Sequence, residues 1–214
     1  MVRVKKNSRR YDARGRLEQA RRGRETIVEA ARSAFLEHGF AATTIASIAQ
    51  AAGVSVETIY KAFGGKTGLV RAVYEQGLAG RAAVPAPQRS DALSATENDP
   101  RRLIRYWGKL TAEVSPLVSP ILLLVRDAAA GDPELVALLE MADAQRRTRM
   151  RKNAAVLAKR GFLRAGLSLE AASDILWAYT SPELYELLVL RRGWSASRFG
   201  DFVASALEAA LLSP

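Results

Sequence analysis

Hydroxyl, phenol and amino groups cluster between residues 43 and 66, in the segment TTIASIAQAAGVSVETIYKAFGGK. Side chains of these types bind the phosphates and the base edges of nucleic acids. The segment ends in Gly65-Lys66, which resembles the phosphate loop of nucleotide-binding enzymes. That loop has a glycine five positions before its last glycine and follows a buried strand, whereas this chain has Tyr60 there, preceded by a helical pattern. The phosphates that suit this segment are therefore those of a nucleic acid rather than of ATP or GTP.

The composition of the 214-residue chain excludes several classes of active site. There is no cysteine and only one histidine, His38, so thiol nucleophiles, disulfides and Cys/His zinc sites cannot be assembled. A Ser-His-acid triad is excluded because His38 lies at the end of a predicted helix, away from any such set. We therefore expect no enzymatic activity, no cofactor and no metal site. The first residues are basic and no long uncharged apolar run follows, so we expect a cytoplasmic protein without a membrane partner.

The formal charge of +10 is concentrated near the N-terminus. The first 74 residues hold 14 Lys and Arg against six Asp and Glu, whereas the remainder hold 18 against 16. Residues 1–24 alone hold ten basic and two acidic residues and few large apolar ones, so they cannot form a core. They are predicted to be a basic N-terminal arm, which either contacts DNA or serves as a solvated tail.

Residues 25–80 are predicted to form a small domain of four helices. Apolar residues recur at three- and four-residue spacing from Glu25, and Gly39 ends this first helix. The fourth helix begins near Lys66 and carries large apolar residues on one face. Two shorter helices lie between them.

The second and third helices of this domain are separated by a tight turn. Thr43 or Thr44 offers an N-cap to the second helix, Gly53 ends it, and Ser55 caps the third helix. Two helices that cross at a tight turn need a glycine in the turn and a small residue at the crossing, here Ala49. This is the pattern of a helix-turn-helix, whose second helix enters the major groove of DNA.

A second helical region is predicted at residues 100–214, after a connector at residues 81–99. Its predicted helices span residues 100–114, 117–130, 133–160, 169–191 and 196–212. Pro182 lies inside one of these helices and is expected to kink it. No segment alternates with a period of two, so we expect no sheet and an all-α fold.

Across about residues 25–75 the sequence resembles the DNA-binding domain of the TetR family of transcriptional regulators. The shared features are an Ala-Ala-x-x-x-Phe helix, a Gly-Phe loop, Thr-Thr, Ile-Ala-x-Ala-Ala-Gly-Val-Ser, Thr-Ile-Tyr-x-x-Phe and Lys-x-x-Leu. The resemblance implies an all-helical homodimer that binds double-stranded DNA through recognition helices one DNA turn apart. It also implies a C-terminal domain whose small-molecule ligand usually releases a repressor from a promoter.

The resemblance divides the predicted DNA-binding residues between backbone and base contacts. The positions that usually contact the backbone are Thr44, Tyr60 and Lys66, and those that read bases are Val56, Glu57 and Thr58. With neighbouring caps and charges, the predicted DNA-binding residues are Thr43, Thr44, Ser55, Val56, Glu57, Thr58, Tyr60, Lys61 and Lys66. Ala62 replaces a polar residue common in the family, so one phosphate contact is missing unless Lys61 compensates. Glu57 either accepts a hydrogen bond from a cytosine amino group or pairs with a nearby basic residue.

The C-terminal region is predicted to enclose a ligand and to form a dimer. Its aromatic and aliphatic residues cluster at helical spacing, and most of them must be plain core. The residues predicted to line a pocket are Trp107, Leu110, Leu122, Arg126, Trp177, Tyr179 and Tyr185, with Arg126 as a polar anchor. Such a pocket suits an apolar or aromatic effector. The last two predicted helices carry more apolar residues than one inward stripe needs, which predicts a four-helix bundle in a homodimer.

These features predict a DNA-binding transcriptional regulator, most simply a repressor that a small-molecule effector releases from a palindromic operator. The alternative is a sequence-tolerant architectural protein that attracts DNA with its basic arm. The large C-terminal region argues against this alternative, because DNA compaction does not need a ligand cavity.

Overall fold

The computed structural model describes residues 5–213, and this part of the chain contains helices but no strand. The predicted all-α fold is thus confirmed. The first four residues of the predicted basic arm lie outside the described residues. The chain divides into two compact units, Met1–Val73 and Tyr74–Pro214.

The first unit begins with a long helix, α1 (Lys5–Ala42), whose regular geometry is interrupted at Gly39 with a φ of 79°. The interruption lies where the sequence predicted the end of the helix, but the predicted start at Glu25 is wrong. Arg21 pairs with Glu18 at 2.7 Å and with Glu25 at 2.8 Å. Ion pairs three and four residues apart stabilise a helix even where apolar residues do not recur at helical spacing. The apolar spacing begins only at Glu25, so it does not reveal the earlier start of the helix.

Three further helices complete the first unit, with α2 packed against α1 and α3 packed against α2. They are α2 (Ile45–Ala52), α3 (Val56–Phe63) and the beginning of α4 (Lys66–Ala79). The buried apolar residues of this unit are Ile27, Val28, Ala31, Phe35, Ile48, Ala49, Ile59, Leu69, Val70, Ala72 and Val73. Helices α2 and α3 thus each bury one apolar face, and their other faces can hold polar and charged side chains.

The second unit contains the end of α4 and the remaining helices. These are α5 (Ala86–Thr96), α6 (Pro100–Ala128), α7 (Pro133–Lys159), α8 (Leu169–Tyr179), α9 (Pro182–Tyr185), a π-helix (Glu186–Arg191) and α10 (Ala196–Leu211). Asp99, Asp132, Ser168 and Ser195 cap helices at the predicted positions by accepting hydrogen bonds from backbone N–H groups. The core of this unit lies mainly between α6, α7, α8 and α10.

Helices α6 and α10 approach each other closely where Gly108 faces Gly200. A Cβ atom added at Gly200 would lie 2.5 Å from the carbonyl oxygen of Gly108, and one added at Gly108 would lie 2.6 Å from the carbonyl oxygen of Gly200. Only glycine fits at this crossing, because the obstacle on each side is backbone.

Three predicted boundaries in this unit are wrong. The segment at residues 81–99, predicted to be a connector, contains the 11-residue helix α5. Helix α6 continues through Pro116 and Pro120 instead of ending at residue 114, because the buried apolar face of the helix holds it together across both prolines. The helix predicted at 169–191 is broken, since Ser181 caps a new start at Pro182.

Helix α6 is long and apolar enough to cross a membrane by length and composition alone. Half of its most apolar window is buried inside the protein, as is usual for a core helix. It packs against α5, α7 and α10.

Candidate functional site

The helix-turn-helix of the first unit is held by side-chain and backbone caps. The hydroxyl of Thr44 accepts a hydrogen bond from the Ser47 N–H at 3.0 Å at the start of α2. Gly53 adopts a left-handed conformation with a φ of 67°, which turns the chain after α2. Ser55 then caps α3 by accepting from the Thr58 N–H at 3.1 Å. The predicted caps Thr44 and Ser55 therefore set the ends of the two helices that a DNA groove would meet.

The outer face of α3 is open to solvent. Tyr60 is 53% exposed and Val56 is 41% exposed, although the opposite face of the helix buries Ile59 completely. Glu57, Thr58 and Lys61 are exposed on the same short helix. The exposed phenol, valine, hydroxyl and amino groups on this one short helix are of the types that contact the bases and phosphates of DNA.

Glu57 has no ion pair or hydrogen bond from its carboxylate within the described part of the chain. Of the two interpretations left open by the sequence, pairing with a nearby basic residue thus has no support in this structure. The carboxylate remains available to an outside donor.

Thr43 is not part of this open face. It is 2% exposed, and its hydroxyl donates to the carbonyl oxygens of Gly39 at 2.7 Å and Ala34 at 3.0 Å. Its hydroxyl ties the end of α1 to the start of α2. The prediction that its side chain contacts DNA is wrong, because the hydroxyl is buried and bonded within the protein, and Thr44 alone caps α2.

Lys66 lies at the N-terminus of α4 and is partly buried. Its Nζ donates to the Ala41 carbonyl oxygen at 3.3 Å and lies 4.3 Å from the centre of the Phe40 ring. Burial lowers the pKa of this amine from its ordinary value. The Gly-Phe loop thus positions the lysine next to the free N–H groups of a helix start, a favourable place for a phosphate.

Arg24 is a surface cation that sequence reasoning did not single out from the basic arm. Its Nη1 donates to the carbonyl oxygen of Ala62 at 3.3 Å, and its guanidinium lies 4.3 Å from the centre of the Phe63 ring. Arg24 therefore brings a positive charge to the C-terminal end of α3. This is the position where Ala62 replaces a polar residue, and the only available signal was the RRGR run at the end of the arm.

The second unit encloses a cavity of about 820 Å³. Of the seven residues predicted to line a pocket, four lie in its wall: Trp107, Leu110, Leu122 and Arg126. The wall also includes Thr180, Pro182 and Glu183, so the break at Pro182 lies beside the cavity. Arg126 is not a free anchor, because its Nη1 pairs with Glu186 at 3.0 Å.

Trp177, Tyr179 and Tyr185 do not line the cavity, contrary to prediction. The indole of Trp177 donates to Asp143 at 3.0 Å and is covered by the guanidinium groups of Arg146 and Arg147. Its neighbour Leu176 faces the cavity instead, because successive helical residues point about 100° apart.

The two tyrosines pack elsewhere in the second unit. The ring of Tyr179 meets the edge of Phe202, with 6.3 Å between centroids, and Tyr185 meets the edge of Phe199 at 5.4 Å. Burial also raises the pKa of Tyr185. Both rings pack against residues of α10. The size of a side chain and its spacing along a helix therefore do not predict whether it lies in the core or lines the cavity.

The cavity wall contains residues from α4, α5 and α7 that sequence reasoning missed. The phenol of Tyr74 on α4 donates to Gln145 at 3.4 Å, and burial raises its pKa to about 12. On α7, the wall includes Asp143, Arg146 and Asn153. Their spacing places them on one side of α7, but a polar side of a long helix usually faces solvent.

Helix α7 carries a partly buried charge cluster next to the cavity. Arg146 pairs with Asp143 at 3.0 Å and donates to the carbonyl oxygen of Trp177. Burial raises the pKa of Asp143, but hydrogen bonds from Trp177 and Arg147 and the charge of Arg146 outweigh this effect and lower it overall. These contacts therefore hold the charges of Asp143 and Arg146 in place beside the ligand space.

The comparisons with known proteins agree with this architecture. Residues 27–73 match the model of the family of bacterial regulatory proteins, tetR family. No curated protein sequence matches the chain significantly. The matched segment ends at the boundary between the two units and contains both helices of the helix-turn-helix.

Several solved structures share the fold over most of their length. The fatty acid degradation regulator FadR from Bacillus halodurans is 15% identical, with a TM-score of 0.71 over 86% of this chain and 94% of that one. SmeT in complex with triclosan is 23% identical, with a TM-score of 0.69 over 89% and 92%. NalD, the secondary repressor of the MexAB-OprM multidrug efflux pump in Pseudomonas aeruginosa, is 23% identical, with a TM-score of 0.64 over 91% and 98%.

The helix-turn-helix, the helical second unit and these likenesses together define the class of the protein. It has the fold of a helix-turn-helix transcription regulator. Its N-terminal domain belongs to the TetR family of bacterial regulatory proteins, which confirms the family predicted from the sequence.

Proposed function

We propose that this protein is a homodimeric, cytoplasmic repressor that leaves a palindromic operator when a small apolar or aromatic effector occupies the cavity of the second unit. The observation that carries the proposal is the joint presence of an open recognition helix in one unit and a cavity of about 820 Å³ in the other. SmeT with triclosan and the repressor NalD support both halves by analogy of fold. The protein acts by binding, without a catalytic step.

The proposed DNA contacts follow from the exposed groups around α3. Tyr60 and Lys66 contact the phosphate backbone together with Thr44, and Val56 and Thr58 face the base edges. The recognition helix is eight residues long, and an α-helix, which is about 10–12 Å across with its side chains, fits a major groove about 12 Å wide. Ser55 contributes through the cap that fixes the start of this helix.

Three charged residues complete the proposed surface. Arg24 and Lys61 together supply the cations near Ala62, so the phosphate contact that the alanine cannot make is retained. Glu57 accepts a hydrogen bond from a cytosine amino group in the groove, since no basic residue in the described part of the chain neutralises it.

The proposed dimer forms through the π-helix and α10. Leu187 and Leu190 are about half exposed, and Phe202 on α10 is 36% exposed. An isologous contact between two such faces gives the two-fold symmetry that a palindrome requires. Light scattering should find a dimer for the parent protein and a monomer for the double variant Leu187→Glu, Leu190→Glu, whereas Val136→Glu on α7 serves as an exposed control. A dimer that survives the double change would place the interface elsewhere.

Release from DNA requires that the effector binds the DNA-incompetent arrangement more tightly than the competent one. Helix α4 is the element that can respond, because it carries Lys66 at its start and Tyr74 and Leu78 of the cavity wall near its end.

A mobility-shift titration on the DNA upstream of the protein's own gene tests the proposed surface. Tyr60→Ala and Lys66→Ala should each lower the affinity about tenfold or more, because each removes a backbone contact. Lys109→Ala, which removes the same charge from an exposed site on α6, is the matched control and should bind like the parent. Equal binding by all three variants would reject the assigned surface.

A further inference from the structure

The charged side chains in the interior of the cavity wall are already paired. Each arginine of the wall has a carboxylate partner: Arg126 with Glu186 at 3.0 Å, Arg146 with Asp143 at 3.0 Å, and Arg149 with Asp91 at 2.8 Å. The remaining acidic residue of the wall, Glu183, is exposed to solvent. An anionic ligand would have to displace one of these pairs or enter without a partner, and both are unfavourable in a low-dielectric space. A cationic ligand has only Glu183 of the wall to pair with, and solvent screens an ion pair with this exposed carboxylate. The wall is therefore suited to an uncharged ligand.

Two neutral polar groups in the same wall have no hydrogen-bond partner among the described residues. They are the indole Nε1 of Trp107 on α6 and the hydroxyl of Ser90 on α5. Trp107 is 5% exposed and Ser90 is 3% exposed, so bulk water does not satisfy them freely. Buried polar groups in proteins are nearly always hydrogen-bonded, which makes two such groups in one cavity wall unusual.

The chemistry of these two groups specifies their complement. An indole N–H donates and cannot accept, and a serine hydroxyl can also donate, so both suit an acceptor atom. Asn153 adds a third buried polar side chain to the wall, able to donate and accept. Much of the remaining wall is apolar, with Leu110, Val118 and Leu122 among its residues.

We propose that the effector is an uncharged molecule with an apolar body and at least one hydrogen-bond-accepting oxygen, such as a ketone, ester, amide or un-ionised alcohol. The N–H of Trp107 and the hydroxyl of Ser90 bind its oxygen atoms, while the apolar wall covers the body. This assignment rests on the proposed function, because it specifies the effector of the same cavity.

Calorimetric titration of the full-length protein with four ligands of one skeleton tests the assignment. The ligands are para-acetylbiphenyl, para-isopropylbiphenyl, para-phenylbenzoate and para-phenylbenzylamine. The ketone and the hydrocarbon have nearly the same shape and differ in the acceptor oxygen. The ketone should bind about tenfold more tightly than the hydrocarbon, as expected for one net hydrogen bond, and the two charged ligands should bind more weakly than the ketone.

Two variants connect this preference to the assigned groups. Trp107→Phe and Ser90→Ala should each lower the ketone affinity about threefold to tenfold and leave the hydrocarbon affinity nearly unchanged. Ser94→Ala is the matched control, because this hydroxyl is also buried and unpartnered but lies outside the cavity wall. Without ligand, Ser90→Ala should melt at or above the parent temperature, since it removes a group that makes no hydrogen bond in the protein.

The results separate this assignment from the proposed function. Three outcomes would each overturn the assignment. The first is that the hydrocarbon or a charged ligand binds as tightly as the ketone or more tightly. The others are that the ketone does not bind, or that the two variants bind the ketone like the parent. If a charged ligand binds and also releases the protein from DNA, the repressor proposal stands and the uncharged class is wrong. If the ketone binds as expected but the protein does not bind DNA, the assignment stands and the repressor proposal fails.

Discussion

The two units of this protein place their binding groups by different means. In the first unit the groups on α3 lie within a few residues of the cap that starts the helix, as Thr58 does beside Ser55. In the second unit the cavity wall combines residues from distant parts of the chain, such as Tyr74, Trp107 and Pro182. A surface made by local geometry can be recognised from sequence, whereas a cavity depends on how whole helices pack.

The two units also differ in whether their binding groups already have partners within the protein before a ligand or DNA binds. On α3 the side chains of Tyr60 and Glu57 are exposed to solvent and make no hydrogen bond or ion pair, within the described part of the chain, that a partner would have to break. In the cavity wall the three arginines are engaged in ion pairs, whereas Trp107 and Ser90 are buried without a partner among the described residues, so selection among ligands falls on these two groups.

The largest effect is expected at the crossing of α6 and α10. Gly200→Ala should lower the free energy of unfolding by about 3 kcal/mol, because the new Cβ meets the backbone of Gly108 at 2.5 Å. Gly23→Ala in α1, where no atom lies within 4 Å, should instead raise it by about 0.5–1 kcal/mol. Urea unfolding followed by circular dichroism measures both. Effects of the same sign would contradict the close packing of the second unit.

A smaller effect distinguishes the two adjacent threonines of the first unit. Thr43→Val should lower the free energy of unfolding by about 1–2 kcal/mol, because a buried hydroxyl that donates to Gly39 and Ala34 is lost. DNA affinity, corrected for the folded fraction in the binding assay, should not change. Thr44→Ala should lower the DNA affinity as well as weakening the cap. A loss of DNA affinity in Thr43→Val beyond the folding effect would return this residue to the interface.

The charge cluster on α7 should contribute about 1 kcal/mol at neutral pH, because Asp143 is partly exposed and solvent screens its pairing. Asp143→Asn removes this contribution. The folded-state pKa of Asp143 is lowered, so the contribution is present above the ordinary pKa of 3.8 and is lost as the pH falls through the folded value. Stability curves of parent and variant should converge below about pH 4. Asp174→Asn, at an exposed site on α8, is the control, and a constant difference at all pH values would contradict the account.

The smallest effect is expected for Arg24, at the end of α3. Arg24→Ala should lower DNA affinity about threefold. It should also reduce the slope of log affinity against log salt concentration by about 0.9, the contribution of one phosphate contact. Arg22→Ala removes the same charge two residues away, where the side chain pairs with Glu18 at 3.2 Å, and should have less effect. Fluorescence anisotropy at several salt concentrations measures both slopes. Identical slopes would show that Arg24 does not contact a phosphate.

The sequence was a good guide to the first unit because its signals are local. The caps Thr44 and Ser55, the turn at Gly53 and the end of α3 at Gly64 can all be recognised from residue type alone. The exception is the start of α1, where ion pairs replace apolar spacing as the stabilising interaction. Arg24 was missed for a different reason, because its contact with α3 is not local and spans 38 residues of sequence.

The second unit was predicted less completely because periodicity does not reveal which neighbour a helical face meets. Trp177 and Leu176 are adjacent, yet one binds Asp143 on α7 and the other lines the cavity. The continuity of α6 through Pro116 likewise depends on the other helices that pack against it, and these neighbours cannot be predicted from the spacing of residues within α6.

The most direct test of the account is a hydroxyl-radical footprint of the protein on the DNA upstream of its gene. The account predicts two protected half-sites centred about 34 Å apart, as expected for a symmetric pair of recognition helices. Protection should be lost in Tyr60→Ala and Lys66→Ala and kept in Lys109→Ala. Uniform protection without a discrete site, unchanged by the α3 and α4 variants, would contradict the account and favour sequence-tolerant binding by the basic arm.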